Sequence, residues 1–97
     1  MTSTVLANID KTSADRLDYD VDYGKWLTEG DVIVSAVAQI MDPNVTFIAD
    51  TIEVSEQMVR VWLSAGINGE VSEISVFATT AAGRIKEARF SMLIKDD

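Results

Sequence analysis

Three aspartates occupy alternate positions in the stretch Leu17-Asp-Tyr-Asp-Val-Asp-Tyr-Gly24, and a glutamate follows at Glu29. Counted from Asp18, the carboxylates of Asp18, Asp20, Asp22 and Glu29 take the first, third, fifth and twelfth places of a calcium-binding loop. The remainder of the pattern fails. Such a loop turns sharply on a glycine at its sixth place, which here is Tyr23, and Gly24 comes one residue late. Neither flank is an amphipathic helix. The alternation has a simpler account in a strand, where Leu17, Tyr19, Val21 and Tyr23 face a core and Asp18, Asp20 and Asp22 share the wet face. The four carboxylates are therefore weak metal candidates, and the chain is expected to carry no metal and no cofactor.

Other reactive groups are scarce. The chain has no cysteine and no histidine, which removes disulfides, thiol chemistry and imidazole chemistry, and leaves zinc or copper only carboxylates, which suit neither. No serine stands in a Gly-x-Ser-x-Gly or Ser-x-x-Lys arrangement. Gly66 and Gly69 read as a hairpin turn rather than a phosphate cradle, because no helix follows them. An enzyme is not expected. What remains is surface. In Val59-Arg-Val-Trp-Leu63 the period of two turns Trp62 away from Val59, Val61 and Leu63 and toward the side of Arg60 and Ser64. An outward Trp beside Arg60 is expected either to anchor a contact with a partner or to be partly covered by a neighbouring loop. Trp26 and Leu27, by contrast, are expected to drop onto the end of the core and close it. Arg84 is expected either to pair with Glu29 or Asp31 or to contact a partner.

These residues need a scaffold, and the rest of the chain supplies one. Short groups rich in Gly, Pro, Asp and Asn recur at Tyr23-Gly24-Lys25, Glu29-Gly30-Asp31, Asp42-Pro43-Asn44, Gly66 to Glu70 and Ala82-Gly83-Arg84. Runs of β-branched and aromatic residues lie between them: Val32 to Met41, Val45 to Val54, Met58 to Leu63, Val71 to Thr80 and Ile85 to Ile94. Val32 to Met41 has no internal breaker and could be a buried helix, but its Val and Ile content and its flanking turns favour a strand. With the strand around Leu17 to Tyr23, the pattern predicts an all-β, antiparallel sandwich of about six or seven strands. Residues 1–14 lack either period and read as a short extended N-terminal arm, with the sandwich domain over 15–97.

Composition bounds the partners. Ninety-seven residues suffice for one core. The formal net charge of -8 disfavours nucleic acid and anionic membrane surfaces. The one basic group, Arg84, Lys86 and Arg89, is interrupted by Glu87. No apolar run is long enough to span a bilayer, and the N-terminus lacks the pattern of a signal peptide.

The order of three segments carries a further signal. Leu-Asp-Tyr-Asp-Val-Asp-Tyr-x-x-Trp-Leu-x-x-Gly-Asp, then Val-Trp-Leu-Ser-Ala-Gly-Ile-Asn-Gly, then Thr-Thr-Ala-Ala-Gly-Arg-Ile-Lys-Glu, resembles a family of small tailed-bacteriophage structural proteins, the fibre-tail adaptors, over roughly residues 15 to 95. Tyr19, Asp22, Trp26, Leu27, Gly30, Asp31, Leu63, Ser64, Gly66, Gly69, Gly83 and Arg84 fall on the family pattern. Tyr23 stands where the pattern prefers Trp, and Ala65 replaces the first Gly of a pair, a place where left-handed backbone is then harder to adopt. The resemblance implies an immunoglobulin-like sandwich in the virion, made in the host cytoplasm. It also implies a homo-oligomeric ring in the neck or upper tail that binds other tail, neck and fibre proteins. The alternative is a solitary ligand-binding β-sandwich that takes a sugar, or calcium for adhesion.

Overall fold

The computed structural model describes residues 5–96, with side chains from residue 7 onward. Seven strands follow one another: β1 Val5–Lys11, β2 Leu17–Asp22, β3 Ile33–Ile40, β4 Ile48–Val54, β5 Met58–Ser64, β6 Val71–Thr80 and β7 Ile85–Ile94. They form a four-stranded sheet in the order β1-β7-β6-β3 and a three-stranded sheet in the order β2-β5-β4. Every neighbouring pair is antiparallel except β1 with β7, which run parallel. The order is that of an immunoglobulin-type sandwich whose first strand has joined the sheet of its last. Within Val32 to Met41, Ile33–Ile40 is a strand, as the β-branched content indicated.

Period two produces the core. In β5, Val59, Val61 and Leu63 are fully buried while Arg60, Trp62 and Ser64 point the other way. From the facing sheet come Ile74, Val76, Phe90 and Met92, also fully buried. β2 follows the expected phase, with Val21 and Tyr23 buried and Tyr19 stacked on Phe90 at 4.4 Å between ring centroids. Leu17, at the strand's start, is 39% exposed. The Tyr23 hydroxyl donates to the Val76 carbonyl at 2.8 Å, so its one polar atom is satisfied inside the core.

Two departures from plain alternation matter for the surface. Ser75 lies on the outer face of β6 yet is fully buried, because Glu87 and Arg89 of β7 lie over it; its hydroxyl donates to Glu87 at 2.6 Å. In β4 the register slips between Ala49 and Thr51, making Asp50 an extra residue opposite β5.

Within the segment read as an arm, Val5–Lys11 is extended but adds to the sheet as β1, ahead of the domain boundary expected at residue 15. Residues 1–4 lie outside the described residues. The strand's sequence has no period of its own, so pairing with β7 organises it, and long-range pairing leaves no local signature. Lys11 is buried, and its ammonium donates to the carbonyls of Thr12 at 2.7 Å and Asp15 at 3.0 Å. Ser13 then ties the turn to the C-terminal segment, donating to Asp96 from its backbone at 2.7 Å and from its hydroxyl at 2.8 Å.

Candidate partner interface

β5 is the central strand of the smaller sheet, so its outward side chains are flanked on both sides. The register places Trp62 between Asp18 of β2 and Thr51 of β4, and Arg60 between Asp20 and Glu53. The Trp62 indole is half-buried, with the Arg16 guanidinium 4.3 Å from its ring centroid and its Nε1 donating to Glu53 at 2.6 Å. A cation over the face and a carboxylate at the N–H edge hold the ring in one orientation.

Carboxylates in turn hold the two arginines. Arg16 binds Asp50 through two nitrogens, Nε at 3.1 Å and Nη2 at 2.7 Å, and Asp50 also accepts the hydroxyls of Ser64 at 2.7 Å and Thr51 at 2.8 Å. These donors, Arg16 foremost, hold the Asp50 carboxyl well below the usual carboxylate range. Arg60 reaches both Asp20 at 2.8 Å and Asp18 at 3.1 Å. Its hydrogen bonds to Asp20 lower that carboxyl's pKa. Beside Arg60, a shallow cleft of about 300 Å³ is lined by Asp20, Glu53, Val54, Ser55, Met58 and Arg60.

Asp18 and Asp20 thus answer Arg60, and Asp22 turns back on the chain to accept the Gly24 N–H at 2.7 Å. Glu29 lies elsewhere, in the turn closed by the Asp31 N–H on the Thr28 carbonyl at 2.9 Å. Among the described residues no three metal-ligating side chains group together. The four weak metal candidates are divided between two places.

Arg84 is at the opposite kind of place, in the β6–β7 turn. Its guanidinium lies 4.2 Å from the Trp26 ring centroid and donates to the Thr28 hydroxyl. The ion pair expected with Glu29 or Asp31 does not form among the described residues. Asp31 instead accepts the backbone N–H of Val32 at 3.0 Å and of Ala82 at 3.1 Å, which pins the two turns together. The Thr80 hydroxyl, those N–H groups and the more distant Arg84 keep its carboxyl below the ordinary value. Trp26 packs on the core and meets Tyr23 edge-on at 6.4 Å, closing the end of the sandwich with Leu27.

Of the expected interface residues, Arg60 and Trp62 therefore share one face, and Arg84 does not. Three members of that face were not anticipated: Arg16, Asp50 and Glu53. A signal for Asp50 is present in the sequence. The apolar positions over 45–54 switch from odd at Val45, Phe47 and Ala49 to even at Ile52 and Val54, and such a switch requires an extra residue between them.

Fold and face together define a small all-β module whose exposed chemistry is charge pairing around the Trp62 ring. Residues 11–93 match the family described as podophage GP4 fiber-tail adaptor protein gp77, and the chain belongs to that family. It is accordingly a phage fibre-tail adaptor, a structural role in the virion tail. Comparison with curated proteins finds no match.

Proposed function

We propose that this protein is a non-catalytic connector in the neck or upper tail of the virion. In this reading it is made in the host cytoplasm, joins tail and fibre components as a homo-oligomeric ring, and docks a partner on the outer face of β2, β5 and β4. Family membership supports the tail location. The observation that carries the docking face is Trp62, an indole half-exposed in the middle of a sheet face and already held from two sides by Arg16 and Glu53. A ring fixed in advance loses little conformational freedom when a partner covers it. Around it the carboxylates of Asp18, Asp20, Asp22, Asp50 and Glu53 outnumber the guanidiniums of Arg16 and Arg60. The complementary surface is therefore basic, with an apolar or aromatic contact at its centre. Arg84, at the other end of the sandwich, is a second contact to the next protein in the assembly.

Two measurements test this. Quantitative mass spectrometry of purified virions should find the protein at a small fixed ratio to the major capsid protein, and its absence from particles would reject the connector role. In phage carrying Trp62→Ala, particles should retain the protein and lose fibres. Full fibre occupancy in that phage would reject the docking face while leaving the connector role intact.

A further inference from the structure

The sandwich has four edge strands, β1 and β3 on the larger sheet and β2 and β4 on the smaller. An open edge presents unpaired backbone groups to any passing strand, and charged side chains are a common defence. β1 carries Asp10 beside the buried Lys11, β2 carries Asp18, Asp20 and Asp22, and β4 carries Asp50 and Glu53. β3 carries no charge, and the uncharged stretch runs from Val32 to Met41. It also lacks proline. Its one irregularity falls between Ile33 and Ser35, so that Ser35 to Ile40 pairs residue for residue with β6. The side chains along it are apolar and open: Val37 is 63% exposed, Val34 57% and Met41 41%. Even its inward residues Ala36, Ala38 and Ile40 are only half-buried.

We propose that β3 is the edge through which two copies of this chain pair, antiparallel, about a two-fold axis at Val37. Charge selects the occupant. Each copy carries a net charge of -8, so a second copy is repelled wherever the surface is acidic, and β3 is the edge on which that repulsion is least. A basic segment would instead be drawn to the aspartates of β2. The strand is also complementary to itself. With Val37 opposite its counterpart, Ser35 comes opposite Gln39 on the same face and Ala36 opposite Ala38 on the other. Apolar meets apolar, hydroxyl meets carboxamide, and small meets small. Two four-stranded sheets become one of eight strands. A contact of this size is small, and the pairing is correspondingly weak. Being two-fold, it does not itself build a ring. It is also independent of the docking face, which belongs to the other sheet.

The chain has no cysteine, so single thiols report the geometry directly. Residues opposite one another in an antiparallel pair have the Cα spacing a disulfide needs. At about 100 µM protein under mild oxidation, Val37→Cys should form the covalent dimer at least about tenfold faster than Ile67→Cys, a control of similar exposure in the turn after β5. A mixture of Ser35→Cys and Gln39→Cys should cross-link between unlike chains, a readout that does not rely on altering Val37. In sedimentation equilibrium the native chain should show a dimer that Val37→Glu abolishes with its circular dichroism unchanged. Equal rates for Val37→Cys and Ile67→Cys would overturn the proposal. So would a native chain that stays monomeric at several times that concentration. A mixture of Val37→Cys with Asn8→Cys that cross-links in preference to Val37→Cys alone would also overturn it, by placing β1 of the second copy on this edge.

Discussion

Two arginines in this small protein stack on two tryptophans at nearly the same distance, yet the pairs do different work. Arg84 covers Trp26 at 4.2 Å and Arg16 covers Trp62 at 4.3 Å. Beneath Trp26 lies the core: the ring packs on it and touches Tyr23, and the arginine is the outermost layer of a hydrophobic plug. Trp62 instead points away from the core, on the outer side of a strand, and is held by Glu53 and by the Arg16–Asp50 pair. Removing a side chain from the first stack exposes core, whereas removing one from the second exposes only surface. The same pair of side chains therefore contributes stability in one place and, in the function proposed above, a prepared contact in the other.

The sharpest way to break this comparison is to truncate both rings. Trp26→Ala should destabilise by about 3 kcal/mol, because a large ring is deleted from the end of the core, whereas Trp62→Ala should cost less than about 1 kcal/mol. Urea unfolding of the two variants gives both numbers, and equal losses would mean that Trp62 is a core residue after all. Tyr23→Phe, below the first stack, should cost about 1 kcal/mol, since it removes the hydroxyl's hydrogen bond to the Val76 carbonyl while that carbonyl keeps its place in the β6–β7 ladder.

The same tyrosine links the plug to alkaline pH. Burial, with a smaller contribution from Glu87, raises the Tyr23 pKa above that of an unfolded tyrosine. A raised folded-state value means that its contribution is complete below about pH 10 and is lost as pH rises further. Tyr23→Phe should therefore flatten the alkaline limb of the stability profile, followed by thermal melts across that range.

A smaller gain is expected just past the end of β5. Ala65 adopts φ 64°, the left-handed region that an alanine enters only with strain. Ala65→Gly should stabilise by about 0.5 kcal/mol, the relief of strain being partly offset by the greater freedom of glycine when unfolded. The melting temperature of the variant checks it.

Least in size, and opposite in sign along the pH axis, is the outer face. Asp50 and Asp20 have depressed folded-state values, so their contribution is present above the ordinary carboxylate range and fades as pH falls below about 4. Asp50→Asn should make the acid limb shallower without changing the alkaline one. If it alters both limbs, the two stacks are coupled and the comparison fails.

Much of this division was legible before any coordinates. Period two in Val59-Arg-Val-Trp-Leu63 separated Trp62 and Arg60 from Val59, Val61 and Leu63, and the position of Trp26 after a turn marked it as a plug. Ala65 stood out because it occupies a glycine's place. Less legible were the contacts made across the sheet. Arg16, in a polar stretch ahead of β2, has no period that announces a partner, and it meets Asp50 only because the bulge in β4 re-aims that carboxylate. Arg84 was expected to meet a carboxylate, but Thr28 and the Trp26 ring are what the facing turn presents to it.

By itself, then, the order of residue types determined the strands from β2 to β7, their buried sides, the absence of thiol and imidazole chemistry, and the uncharged character of Val32 to Met41. These follow from local rules: side-chain alternation, turn residues and net charge act within a few positions. Tertiary structure alone decided which strands became edges, that Val5–Lys11 joined β7 in parallel, and which carboxylate each arginine found. Those outcomes depend on pairing between segments far apart in the chain, where register and a single extra residue redirect side chains that the local pattern leaves free.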